Sequence, residues 1–137
     1  MKTILVYLDG GIKSGWQDKV LAAFEDFIRE GVVTLFDPRK NPKEPEKYRL
    51  INEENWKKAD IIFAYSESSG TCTIFVDDLK PKILEYYERI EEEKGHKDPP
   101  NFTETISRFI KKATSLAEGI DILKNEIDAM IIRKSNP

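Results

Sequence analysis

Cysteine and histidine are almost missing from this chain of 137 residues: Cys72 and His96 stand alone. A single cysteine excludes a disulfide framework and a cysteine-built zinc site. A single histidine leaves any triad or metal cluster dependent on carboxylates, so neither a metal nor a cofactor is expected. No apolar stretch approaches the roughly 20 residues of a membrane span. No sign of charge dominates, with Lys+Arg 22 against Asp+Glu 25 and a net charge of −3. The strongly basic surface of a nucleic-acid binder is therefore absent. Met1-Lys2-Thr3 leads straight into an apolar run, without the layout of a signal peptide, so the expected compartment is the cytoplasm. The length fits one domain, 1–137, with a core of its own.

What is present is an alternation of strand and helix signals. Residues 3–8 are short, apolar and β-branched, and read as a buried parallel strand. From Gly15 to Arg29 the residues Trp16, Val20, Leu21, Phe24, Phe27 and Ile28 recur at helical spacing, and Gly31 stops the helix. Residues 32–36 form a second strand closed by Asp37-Pro38. Glu46 to Lys58 reads as a second helix and 60–65 as a third strand. This order predicts an α/β fold with a parallel sheet of four to five strands and right-handed crossovers. Beyond Tyr65 the pattern leaves alternatives open. Thr71 to Val76 begins a helix or forms a short strand. Ile83 to Lys94 reads as a charged helix, although Lys80 to Leu84 could open a fourth strand. Residues 102–110 have helical spacing, yet 108–112 also fit an edge strand. Ser115, with Glu118 three residues later, predicts a capping box for a last helix through Ile131.

The opening stretch carries the clearest chemical signal. Tyr7-Leu8-Asp9 breaks into Gly10-Gly11, and Ile12-Lys13-Ser14-Gly15 leads to Trp16. Ligands of open α/β sheets sit at the carboxyl ends of strands, where such a turn brings backbone N–H groups close to them. The pattern fails the P-loop and the dinucleotide fingerprint, for lack of their glycine spacing. It leaves a tight turn with Lys13 as a point charge for phosphate. A bare strand-to-helix turn is the competing reading. Tyr7 by itself reads as core; beside a sugar pocket its hydroxyl would orient a carboxylate. Acids close strands at Asp9 and Asp37, cluster at Glu53-Glu54, and recur at Asp77-Asp78. Paired carboxylates in one crevice do nucleophile and acid–base work on glycosidic bonds, although each acid taken alone reads as a solvated charge. Cys72 reads as a small buried residue and His96 as exposed loop.

Four segments together resemble the nucleoside 2-deoxyribosyltransferase-like family, which includes 2′-deoxynucleoside 5′-monophosphate N-hydrolases. They are Val6 to Ile12, Gly15 to Val20 with its tryptophan, Phe36-Asp37-Pro38-Arg39, and Asn52 through Ala59-Asp60 to Tyr65. Thr114 to Ile120 is similar to the family's last helix. The resemblance implies a flavodoxin-like three-layer sandwich, a homodimer or higher homo-oligomer, and a small nucleoside or nucleotide as ligand. It implies cleavage or transfer at the N-glycosidic bond through a carboxylate nucleophile. Tyr7 matches the family's first-strand tyrosine and Gly10-Gly11 its glycine turn. The family's aspartate before strand three falls on Asn52, with Glu53 adjacent. Its nucleophilic glutamate falls within Ser69 to Leu79, where no glutamate stands, so Asp77 or Asp78 takes that place. The expected catalytic set is Tyr7, Asn52, Glu53, Asp77 and Asp78. Asp9, Gly10, Gly11, Ile12, Lys13, Trp16, Ser69 and Gly70 are expected to touch the substrate. The missing glutamate also raises two other readings: a weakened relative that only binds its ligand, and an interaction domain of the same fold.

Overall fold

The computed structural model describes residues 3–40, 45–76 and 110–135. Ile83–Lys94, the loop 95–101, Asp77, Asp78 and His96 lie outside the described residues.

A five-stranded sheet of order β2-β1-β3-β4-β5 forms the frame. The strands are β1 (Ile4–Gly10), β2 (Val33–Phe36), β3 (Ile61–Tyr65), β4 (Cys72–Val76) and β5 (Ile110–Ala113). The helices are α1 (Trp16–Ala23), α2 (Glu25–Arg29), α3 (Pro45–Lys58) and α4 (Leu116–Ser135), with a 3₁₀ turn at Pro38–Lys40. Alternate residues of β1 divide between two cores, as strand periodicity requires. Ile4, Val6 and Leu8 pack with Trp16, Val20 and Phe24 and with Leu123, Ile127 and Met130 of α4. Tyr7 faces the other way, with Ile62 and Ala59 and against Phe36, Trp56 and Phe75. Helices therefore cover both faces. No helix among the described residues is long and apolar enough to cross a membrane.

The expected parallel sheet is corrected to a mixed one. β2, β1 and β3 are parallel, but β4 runs antiparallel to β3 and β5 antiparallel to β4. The reason is the connection. Ser66 N–H donates to the Thr71 carbonyl and Gly70 N–H to the Ser66 carbonyl, with Gly70 at φ 72°. A parallel pairing needs a crossover of about a dozen residues or more, and this turn is far shorter. Cys72–Val76 thus resolves as strand, and among the described residues the sheet ends at β5, whose Lys111 and Lys112 are exposed.

The helix expected over 15–29 is broken at Phe24, which leaves helical geometry (φ −110°, ψ 15°) and separates α1 from α2. The break turns Phe24 fully inward and sets it against Phe27, ring centroids 6.1 Å apart. α2 ends as expected at Gly31: Val32 N–H reaches Phe27 O and Gly31 N–H reaches Ile28 O, with Gly31 at φ 74°. At α4, Ser115 Oγ accepts from Glu118 N–H as the capping box requires. The glutamate's return bond goes to Thr114, whose N–H and hydroxyl both donate to it.

α4 approaches the sheet through Gly119. A Cβ there would sit 2.5 Å from Cys72 Sγ, 2.8 Å from Cys72 Cβ and 3.2 Å from Phe63. Alanine gains about 1 kcal/mol of helix propensity over glycine, but overpacking a core costs about 1–3 kcal/mol. The cysteine Cβ is fixed to the strand and cannot yield cheaply. Gly119→Ala is expected to destabilise by about 1 kcal/mol net, read from a urea midpoint; a raised midpoint would show that α4 rides freely on β4.

Candidate functional site

The connection from β1 runs through α1 and α2 to β2 on one side, and the chain returns through α3 to β3 on the other side of β1. The order therefore reverses at β1, and such a switch point opens a crevice at the carboxyl ends of the strands. A hollow of about 240 Å³ lies there, lined by Asp9, Gly10, Ala64, Tyr65, Ser66, Thr71 and Thr73. Register explains its shape. Asp9 stands opposite Ala64, and Ala64 opposite Thr73. The alanine methyl between two polar side chains leaves the space. One row further in, Tyr7, Ile62 and Phe75 align on the same face, and Tyr7 stacks on Phe36 at 5.2 Å.

Asp9 reaches solvent at the mouth, yet the walls around it withdraw water from its carboxyl. Its pKa is raised above the ordinary aspartate value by this desolvation, opposed in part by a bond from Gly10 N–H. Three hydroxyl-bearing residues, Ser66, Thr71 and Thr73, share the same walls, the Ser66 and Thr71 hydroxyls also bonding Ser68 and Ser69 within the turn. The site thus offers one carboxyl biased toward its protonated form, beside groups that bond sugar hydroxyls.

The glycine turn is held from both sides. Gly10 ends β1 at φ 151°, and a Cβ there would meet the Tyr65 carbonyl oxygen at 2.3 Å. Only glycine allows this approach. The Gly11 carbonyl accepts from Trp16 Nε1 (2.8 Å) and Gln17 Nε2 (2.9 Å). From the other side comes Glu67. Ser14 N–H donates to its Oε2 at 2.5 Å and Lys13 N–H to its Oε1 at 3.4 Å. A Cβ on Gly11 would overlap that carboxylate, 1.6 Å from Oε1. The Ser14 hydroxyl and N–H, then the Lys13 N–H and charge, hold the Glu67 pKa below the usual glutamate value.

No family model and no curated protein matches this chain.

Of the residues expected at the substrate, Asp9 and Gly10 line the hollow and Gly11 adjoins it through the loop. Ile12 is exposed, at 64%, on the same loop. Lys13 donates its N–H to Glu67, so that N–H does not await a phosphate. Trp16 is corrected. Its side chain is 2% exposed, stacked with Phe63 (5.9 Å) and Tyr65 (5.3 Å), so it supports the loop from the core and offers almost no surface to a ligand. Ser69 and Gly70 shape the β3–β4 turn, where Ser69 Oγ pairs with Thr71 Oγ1 at 2.8 Å, while their neighbours Ser66 and Thr71 face the hollow.

The expected catalytic set is not assembled by the described residues. Tyr7 is buried beneath the hollow, on the same face as Asp9. Asn52 and Glu53 sit on α3 and do not line the hollow; Glu53 pairs with Lys57 at 3.2 Å, and Glu54 with Lys58 at 2.6 Å. Cys72 is buried and its thiol is pushed up to about 11, first by desolvation and then by the charge of Glu118. It is no nucleophile. Among the described residues no cluster of His, Cys, Asp or Glu is arranged to hold a metal ion.

The reading of the sequence missed three residues here. Glu67 pairs with a loop far away in the chain. Thr73 became visible as a wall only once β4 was a strand. Gln17 is 1% exposed, and its Oε1 is buried without a described partner.

Asp37 and Arg39 brace the neighbouring strand end. The Asp37 side chain is 1% exposed and accepts from Arg39 N, Nε and NH2. The same guanidinium reaches Asp18 of α1 at 2.7 Å, and these two carboxylates raise its pKa further. This fork ties the end of β2 to α1. Removing one partner of a fully buried pair costs about 3–5 kcal/mol. Arg39 keeps some solvent contact, so Arg39→Ala is expected to cost about 2 kcal/mol. A loss below about 0.5 kcal/mol in urea unfolding would place the fork among ordinary surface pairs.

Proposed function

We propose that the chain binds a nucleoside in the hollow at the carboxyl ends of β1 and β3 and breaks or transfers its N-glycosidic bond. The observation that carries this reading is Asp9: a carboxyl held toward its protonated form, in a switch-point crevice, beside three hydroxyls. A departing base needs a proton, and an acid whose pKa is raised above the ordinary aspartate value is better able to supply it. The sugar left behind develops oxocarbenium character and needs an ionised carboxylate opposite. The resemblance to the deoxyribosyltransferase-like family, with its flavodoxin-like sandwich, supports both halves of this scheme and gives the second role to Asp77 or Asp78. In the same reading the ligand is a small molecule in the cytoplasm and the working form is a homodimer or higher homo-oligomer.

The test is incubation with the four common deoxynucleosides, with and without a second free base, followed by chromatography. Release or exchange of base is expected, and Asp77→Asn and Asp78→Asn identify which carboxylate serves the sugar. Silence across the panel would retire the catalytic reading. One observation favours a binding-only alternative: Glu67, the carboxylate that bonds the Lys13 and Ser14 N–H groups of the turn, already has its oxygens engaged. That alternative predicts a nucleoside-dependent rise in melting temperature with no base released.

A further inference from the structure

The glycine turn looks built for an anion, yet its donors are taken. We infer that Glu67 is a resident anion that closes this turn against phosphate, so that the hollow selects a neutral nucleoside over its 5′-monophosphate. The last clause rests on the function proposed above; the closure of the turn does not.

The geometry is specific. The hollow's wall is left by the chain at Gly10 and at Ser66. The next residue of each, Gly11 and Glu67, meet at the rim. The carboxylate fills the place where a Gly11 side chain would stand and receives the Lys13 and Ser14 N–H groups. A phosphate seeking those donors must first expel a carboxylate that they already hold. The nearby Lys13 charge further favours the ionised form of Glu67. A neutral sugar does not meet this obstacle, because it needs the polar walls of the hollow and not the turn.

The test follows the backbone amides of Lys13 and Ser14 by ¹⁵N NMR during titration with inorganic phosphate at constant ionic strength. It compares the wild type with Glu67→Ala and Glu67→Gln. Removing the charged acceptor frees both donors, so phosphate should bind the variants about tenfold or more tighter at these two amides. Equal response in the wild type would overturn the inference, and so would silence in both variants. A second arm measures thymidine and thymidine 5′-monophosphate by calorimetry: the wild type should prefer the nucleoside, and Glu67→Ala should lose that preference. If neither binds while the phosphate arm still separates wild type from variants, the proposed function fails and the closure stands.

Discussion

Trp16→Ala is expected to lower stability by about 3–5 kcal/mol, the range for emptying a large aromatic from a packed core. The indole is among the largest fully buried side chains. It stacks on Phe63 and Tyr65 of β3 and its N–H anchors the Gly11 carbonyl. Alanine removes ring, stacking and anchor together. The walls are strand side chains fixed by the sheet, so the space cannot close by relaxation. Trp16→Phe separates the contributions: it keeps most of the packing and loses one hydrogen bond, worth about 1 kcal/mol. Gln17 still serves the same carbonyl in that variant. Urea unfolding of both checks the ordering. A loss under about 1 kcal/mol for the alanine variant would mean that the turn stands without its buttress. Because Gly10 lies against the Tyr65 carbonyl, the alanine variant should also loosen the hollow and weaken ligand binding beyond its cost in folding.

Much of this frame was legible because it obeys local periodicity. The apolar runs of β1, β2 and β3 and the stripe Ile120, Leu123, Ile127, Ile131 each announce an element without knowledge of any other. The capping residues Gly31 and Ser115 worked for the same reason. The direction of β4 was not announced locally. It depends on whether Ser66–Thr71 closes as a turn, which polar sequence alone does not decide. The break at Phe24 is likewise a tertiary outcome, since continuous helical spacing gave way to the burial of Phe24 beside the half-buried Phe27. The candidate site divides in the same manner. Asp9 and Gly10 were readable from the strand-to-turn pattern. Glu67 was not, because its partner Ser14 lies 53 positions away. Glu53 drew notice as an acid near the expected motif, but its local partner Lys57 was present at helical spacing all along.

The second large effect concerns Asp9, where stability and activity should move in opposite directions. Desolvation raises its folded pKa above the unfolded value, so the folded protein binds the proton more tightly than the unfolded chain. The favourable contribution is complete below the ordinary aspartate pKa and is lost as pH rises through the folded value. Above that window the carboxylate is a charge the fold disfavours. Asp9→Asn removes the charge at nearly constant shape. It should leave the melting temperature unchanged at low pH and equal or higher at neutral pH, as strained functional groups often do when replaced. If Asp9 is the acid that serves the departing base, the same variant should lose about 10²–10⁴-fold in kcat, the usual worth of a placed general acid. The wild-type rate should fall as pH rises through the Asp9 pKa, and the variant's residual rate should lack that limb. A variant that keeps full activity would remove Asp9 from the chemistry. One that loses activity and stability together at neutral pH would show that its carboxylate holds the strand end and does not wait for a substrate.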